Sequence, residues 1–221
     1  MELSFDSWLR WVFDRPVTKP QWYWDPCDDP WFEDPTTVLA YLRRLFEQPE
    51  LLISAYSRAQ VAQGLWFLAA GTSSGCTKYF SDPAISWPIR KEAIASIPEL
   101  FGHLFARECG DALGHVDRQG DDPLCGCCYM WWDIFPADGG WDISPTEGGQ
   151  ELIDALLDAM AAILLVPSEA CQESALHGLG HAAERFPGRA KAIIDEFLDR
   201  QPKVSEELKQ YALRAREGKI L

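Results

Sequence analysis

A short phrase that occurs twice constrains this chain more than any other feature. The copies are Ser57-Arg58-Ala59-Gln60-Val61-Ala62-Gln63-Gly64-Leu65-Trp66-Phe67-Leu68 and Ser168-Glu169-Ala170-Cys171-Gln172-Glu173-Ser174-Ala175-Leu176-His177-Gly178-Leu179. They align Ser57 with Ser168, Ala59 with Ala170, Leu65 with Leu176 and Leu68 with Leu179. Each copy follows a helix opened by proline, at Asp34-Pro35-Thr36 and at Ser144-Pro145-Thr146, so each reads as the second member of a helix pair. Internal repetition of this kind marks stacked supersecondary units. It predicts an all-α fold of antiparallel helix pairs, about nine helices in a short superhelical array.

Apolar spacing supports that class along the whole chain, because residues recur at i, i+3 and i+4 while strand-like alternation is almost absent. Phe5, Trp8, Leu9, Val12 and Phe13 gather on one side of a helix from Phe5 to Phe13, which Pro16 and Pro20 stop. Asp34 caps a second helix carrying Val38, Leu39, Leu42, Leu45 and Phe46, and Ser57 with Gln60 makes a capping box for a third, where Val61, Leu65 and Leu68 face one way. Periodicity returns from Ile89 to Cys109, where Pro98 divides the helix after Ile97 and Ser96 with Glu99 offers a fresh cap. A short, very apolar helix runs from about Leu124 to Phe135. Ser144-Pro145-Thr146-Glu147 opens the helix of Leu152, Ile153, Leu156, Leu157, Met160, Ile163 and Leu164. The last two helices carry Ile193, Ile194, Phe197 and Leu198, then Val204, Leu208, Tyr211 and Leu213. No linker divides these segments, which implies one domain over residues 1–221 with an irregular, aromatic and acidic loop at about 16–35.

Charge narrows the partners. With 34 acidic against 20 basic side chains the net charge is -14, which repels a phosphate backbone and favours a basic protein over nucleic acid. The start, Met1-Glu2-Leu3-Ser4-Phe5-Asp6, lacks the basic and apolar character of a secretory signal, and the run Ala159 to Val166 is too short to span a bilayer. The seven cysteines are an odd set, three of them crowded into Cys125-Gly126-Cys127-Cys128, and do not resemble a disulfide framework. A soluble cytoplasmic chain with reduced thiols and no membrane contact is the expectation. The oligomeric state is left open.

The segment Glu173-Ser174-Ala175-Leu176-His177-Gly178-Leu179-Gly180 resembles the second helix of HEAT-like repeats of the phycocyanobilin-lyase type, in which alanine, leucine and glycine recur around an Ala-Leu-Gly core. The resemblance spans residues 168–186 and, more weakly, 57–70. It implies a helical array with interaction surfaces.

Two clusters have residue types suited to metal. His177 and His181 are four apart, which sets two imidazoles on one helix face as a zinc pair requires, but the position after the first histidine is Gly178 rather than a catalytic glutamate, and a third ligand must come from elsewhere. Imidazoles packed on the helix or hydrogen-bonded within the array are the alternative. Cys109, His115, Cys125, Cys127 and Cys128 form the second cluster, with the two-residue spacer of a zinc knuckle between Cys125 and Cys128 but no second such pair. On a helix Cys125 and Cys128 share a face and Cys127 points away; buried free thiols are the plainer explanation. Gly71-Thr72-Ser73-Ser74-Gly75 has the letters of a nucleophile elbow but follows a helix rather than a strand and reads as a turn, and no P-loop or dinucleotide fingerprint is present.

The ten tryptophans remain. Rings of this size fill gaps under loops or serve as binding anchors, and the adjacent Trp131 and Trp132 are not expected both to face inward. A surface of Trp22, Trp24, Asp28, Asp29, Trp31, Trp131 and Trp132, with Asp25, Glu33, Asp117, Asp121 and Asp122 along its edge, is the candidate partner site. The resulting expectation is a non-enzymatic, acidic protein-protein interaction module without metal or cofactor, one version being an immunity or antitoxin-like protein shielding a basic toxin. The alternative is a zinc-dependent enzyme built on His177 and His181 or on the Cys/His cluster.

Overall fold

The computed structural model describes residues 4–24, 34–117, 122–135, 149–200 and 203–220. Among these the chain is all-α, with nine helices of seven or more residues joined by single turns, and no strand. No helix among them is long and apolar enough to cross a membrane. The expected start at Ser144-Pro145-Thr146, residues 25–33 of the acidic loop and with them the candidates Asp28, Asp29 and Trp31 lie outside the described residues.

Helix α1 (Phe5–Phe13) is capped by Ser4 and buries the five apolar residues expected of it. The chain then makes one 3-10 turn at Trp22–Trp24. Helix α2 (Pro35–Glu47) begins at the Asp34 cap, whose carboxylate accepts from Thr37 N, and it too buries its expected stripe. The short α3 (Glu50–Ala55) leads into α4 (Arg58–Ala69), the first echoed helix, where Ser57 and Gln60 close a full capping box. Helix α4 is not one-sided: Ala62, Gln63, Gly64, Phe67 and Ala69 are buried along with Val61, Leu65 and Leu68. It lies inside the molecule, covered by α1 on one flank. Gly64 is what allows this, since a Cβ there would stand 2.3 Å from Phe13 Cδ1.

Two single turns follow, α5 (Gly71–Ser74) and α6 (Lys78–Ser81), and then α7 (Trp87–Ala95). The break before Pro98 falls at Ser96 rather than after Ile97, and the expected Ser96 cap does not form; its Oγ donates instead to Ala93 O at 2.8 Å. Helix α8 (Ile97–Leu100), a π-helical turn (Phe101–Phe105) and α9 (Ala106–Cys109) then run on continuously until Gly110, at φ +62, turns the chain away. The turn α10 (Gly114–Asp117) precedes the apolar segment. That segment is two helices, not one: α11 (Pro123–Tyr129) ends at Met130, and α12 (Trp131–Ile134) follows as a separate single turn.

The carboxy-terminal half is built around α14 (Glu169–Arg185), the second echoed helix. It contacts α11, α12, α13 (Gly149–Ile163), α15 (Pro187–Arg200) and α16 (Glu206–Arg216). Its cap Ser168 accepts from Cys171 N. Alanines and glycines bring these neighbours close, and at Gly178 an added Cβ would sit 2.6 Å from the Trp132 ring and 2.7 Å from Met160 Sδ. In α16 the inward face is Leu208, Tyr211, Ala212 and Ala215; Leu213, expected inside, is 47% exposed.

Candidate functional site

The position that Gly178 opens for Trp132 also sets Asp133 beside α14. Helix α12 is a single turn, so burying Trp132 against α14 turns the next residue along the same wall. There the Asp133 carboxylate meets His177 Nε2 at 3.0 Å through either oxygen and His181 Nε2 at 2.5 Å. The two Nε2 atoms stand 3.2 Å apart. Among the described residues this is the one group of three ligand-type side chains whose donor atoms all lie within 4.8 Å of one another.

Burial is graded across the cluster: the His177 side chain is fully enclosed, Asp133 is 21% exposed and His181 35% exposed. The cluster is therefore enclosed at His177 and reaches the surface at Asp133 and His181. Burial works against the charge of Asp133, but the hydrogen bonds from His177 and His181 and their proximity outweigh it and hold its carboxyl well below the usual carboxylate range.

Behind His177 lies a polar chain. Tyr211 OH is 2.5 Å from His177 Nδ1, and 3.3 Å beyond it lies Tyr129 OH. Burial, and then its bond to Tyr129, push the Tyr211 phenol far above its ordinary value, so it stays protonated between His177 Nδ1 and Tyr129 OH. With Nδ1 against Tyr211, Nε2 is the atom turned towards Asp133 and His181. A second pair backs the same wall: the Glu173 carboxylate, 1% exposed, accepts from Gly114 N at 2.6 Å, from His115 N at 3.1 Å and bonds His115 Nδ1, whose ring lies 4.5 Å from that of Tyr211.

The donor set suits a zinc-class ion. Two imidazole nitrogens bound at about 2.0 Å in a tetrahedron are roughly 3.3 Å apart, close to the 3.2 Å between the Nε2 atoms here. A ligating histidine ordinarily donates its other ring N–H to an oxygen, the role Tyr211 fills for His177. The expectation of no metal ligands thus meets a cluster with the composition and spacing of one. The same contacts also answer to the alternative weighed from the sequence, imidazoles hydrogen-bonded within the array. Asp133 was missed because nothing near it in the sequence points to α14.

Other candidates fare differently. Trp131 and Trp132 are both fully buried, contrary to expectation, and neither is available to a partner. After the break at Met130, Trp131 packs edge-on against Phe46, Phe101 and Phe105 while Trp132 stacks on Phe101. Burial of this much ring area outweighs leaving both indole N–H groups without a protein partner. Trp22 is wedged against Trp11 and Phe67 with the Arg15 guanidinium over its ring. Trp24, 58% exposed, is the one described tryptophan of that set left on the surface. Asp122 is not a free rim acid, for it caps α11 and binds Arg58 at 2.7 Å. In the second cluster His115 is taken up by Glu173, and Cys127 is buried away from Cys125 and Cys128.

Among the described residues, an all-helical fold with one Asp–His–His cluster that reaches the surface is the class these observations define. No family model, curated protein or solved structure matches it.

Proposed function

We propose that this is a metal-dependent helical protein that holds one zinc-class divalent ion on Asp133, His177 Nε2 and His181 Nε2. The observation that carries the reading is the convergence of these three donor atoms within 4.8 Å. Three protein ligands with an accessible side are the pattern of reactive rather than structural zinc, in which the ion supplies a Lewis acid and a water of lowered pKa. The buried side of the cluster, Tyr211 and Tyr129 behind His177, orients the ligand; the exposed side, at His181, is where water or substrate enters. Purified protein stripped with chelator and titrated with cobalt(II) is the test. One equivalent with visible absorption of a tetrahedral or five-coordinate ion, lost in His181→Ala, supports the reading; a colourless titration identical in the variant rejects it.

A second reading, a HEAT-like interaction module for a basic protein partner, draws support from a groove of about 320 Å³ between α13 and α15. Leu165, Ile193 and Phe197 line it, with Leu165 65% exposed. A net charge of -14 suits a basic occupant, including a toxin held by an immunity-type protein. Charge reversal of Glu196 at its edge is the discriminating change: under this reading it weakens capture of basic partners and leaves cobalt binding intact.

A further inference from the structure

Glu173 is not one of the three ligand-type residues, yet it lies on the same face of α14 as His177, one turn before it. Its carboxylate is 1% exposed. A carboxylate sealed this deeply costs stability unless its oxygens are met, and here Gly114 N at 2.6 Å, His115 N at 3.1 Å and His115 Nδ1 meet them. All three donors belong to one segment, residues 110–117. The start of that segment is tied to the same helix a second time: Gly110 O accepts from Ser168 Oγ and from Ala170 N, and Asp111 Oδ1 accepts from Glu169 N at 3.0 Å. The segment is thus fixed to the rod that carries both imidazoles of the cluster.

What this attachment holds in place is the ring of His115. Its centroid stands 4.5 Å from that of Tyr211, whose hydroxyl lies 2.5 Å from His177 Nδ1. Gly114 makes the close approach possible, since a Cβ there would stand 2.8 Å from Tyr129 Cγ. A tyrosine hydroxyl lies at the far end of its ring, so a small turn of the side chain moves it a long way. The bond from Tyr211 OH to Tyr129 OH, at 3.3 Å, is too long to hold it alone. The imidazole packed against the Tyr211 ring removes that freedom.

We propose that His115, held by Glu173, is a positioning residue for the divalent ion: it sets Tyr211, and Tyr211 sets His177 with Nε2 towards Asp133 and His181. The proposal rests on the metal reading above. Neither His115 nor Glu173 touches the ion, and the effect passes through one oxygen, that of Tyr211. Groups directly behind a metal ligand are worth 10–100-fold in affinity, and His115 stands one step further back, so its loss should cost about tenfold.

Metal-free folded protein is titrated with cobalt(II) as wild type, His115→Gln, Tyr211→Phe and the double variant, with urea unfolding measured on each. His115→Gln keeps an N–H donor for Glu173 and loses the ring. It should unfold close to wild type yet bind cobalt about tenfold more weakly, with its visible band displaced. In the Tyr211→Phe background there is no hydroxyl left to aim, so the same change should cost no more than about twofold, because groups that act through one route are not additive. His115→Ala, which also leaves Glu173 a bond short, should add a loss of stability to the same loss of affinity. Unchanged affinity in His115→Gln, equal losses in both backgrounds, or affinity that merely follows stability across the set overturns the proposal while wild type still binds cobalt. A wild-type chain that takes up no cobalt overturns the metal reading and this proposal with it.

Discussion

The two echoed helices, α4 and α14, share a design and diverge in what they bury. Both are capped by serine, both are enclosed on nearly every side, and both use a glycine to admit an aromatic ring, Gly64 for Phe13 and Gly178 for Trp132. Aligned by their caps, Ala62 corresponds to Glu173, Trp66 to His177 and Ala70 to His181. Thus α4 shows that the packing role can be filled with no buried charge. In α14 each polar group needs its own partner: Gly114 and His115 for Glu173, Tyr211 and Asp133 for His177. Buried polar groups cost stability unless every bond is met, so a helix that keeps them where its echo does without is the helix to examine for function.

The comparison breaks most sharply at Glu173. Its removal by Glu173→Ala leaves two backbone N–H groups and an imidazole unpaired, and should cost about 3–5 kcal/mol in urea unfolding, as for one member of a buried pair. The alanine that α4 carries naturally at Ala62 shows that a helix of this kind accepts the smaller residue when its surroundings are apolar. If Glu173→Ala is neutral, the polar wall is not the strongly coupled unit described above. Next come the glycines. Gly64→Ala and Gly178→Ala each push a methyl into a ring, and each should lose about 1–3 kcal/mol through overpacking. They should differ in a second readout: only Gly178→Ala displaces Trp132 and with it Asp133, so only it should also weaken cobalt uptake. Smaller still is the stability change in His181→Ala, below about 1 kcal/mol for a partly exposed side chain, although uptake of the ion should be abolished.

Much of this architecture could be read from the chain, and the reasons are local. Helices α1 and α2 bury the very stripes their periodicity marks, because each has one face against the core and caps that depend only on neighbours in sequence. Legibility fails where a helix is enclosed on several sides. Helix α4 has no single buried face to detect, and the stretch 124–135 reads as one helix because nothing in Met130 signals the break after which Trp131 and Trp132 are both buried. His177 and His181 were visible as a pair at helical spacing, and Cys125 with Cys128 as a shared face. The third member of the histidine group, Asp133, comes from another helix and is set beside the pair by packing at Gly178. Such contacts are tertiary facts that periodicity does not carry.

The residue that follows each cap sharpens the comparison with the smallest effect. Glu169 suits the amino end of α14, where helix N–H groups attract a carboxylate, and it accepts from Ser205 N at 2.7 Å. Arg58 stands at the same place on α4, where the helix dipole disfavours a cation, and its charge is met by Glu108 and Asp122. For Asp122, partial burial opposes ionisation, but the Arg58 hydrogen bond and those from Cys125 N and Leu124 N prevail and depress its carboxyl below the usual value. A depressed folded-state value means that this contribution is present above the unfolded value of about 3.9 and is lost as pH falls through the folded one. Asp122→Asn keeps an N-cap side chain for α11 but removes the charge facing Arg58. Its melting temperature should therefore fall slightly below wild type at pH 7, and the gap should narrow when both are melted near pH 3. A gap that stays constant with pH would mean that Asp122 acts on α11 as a cap alone and that Arg58 draws its compensation from Glu108.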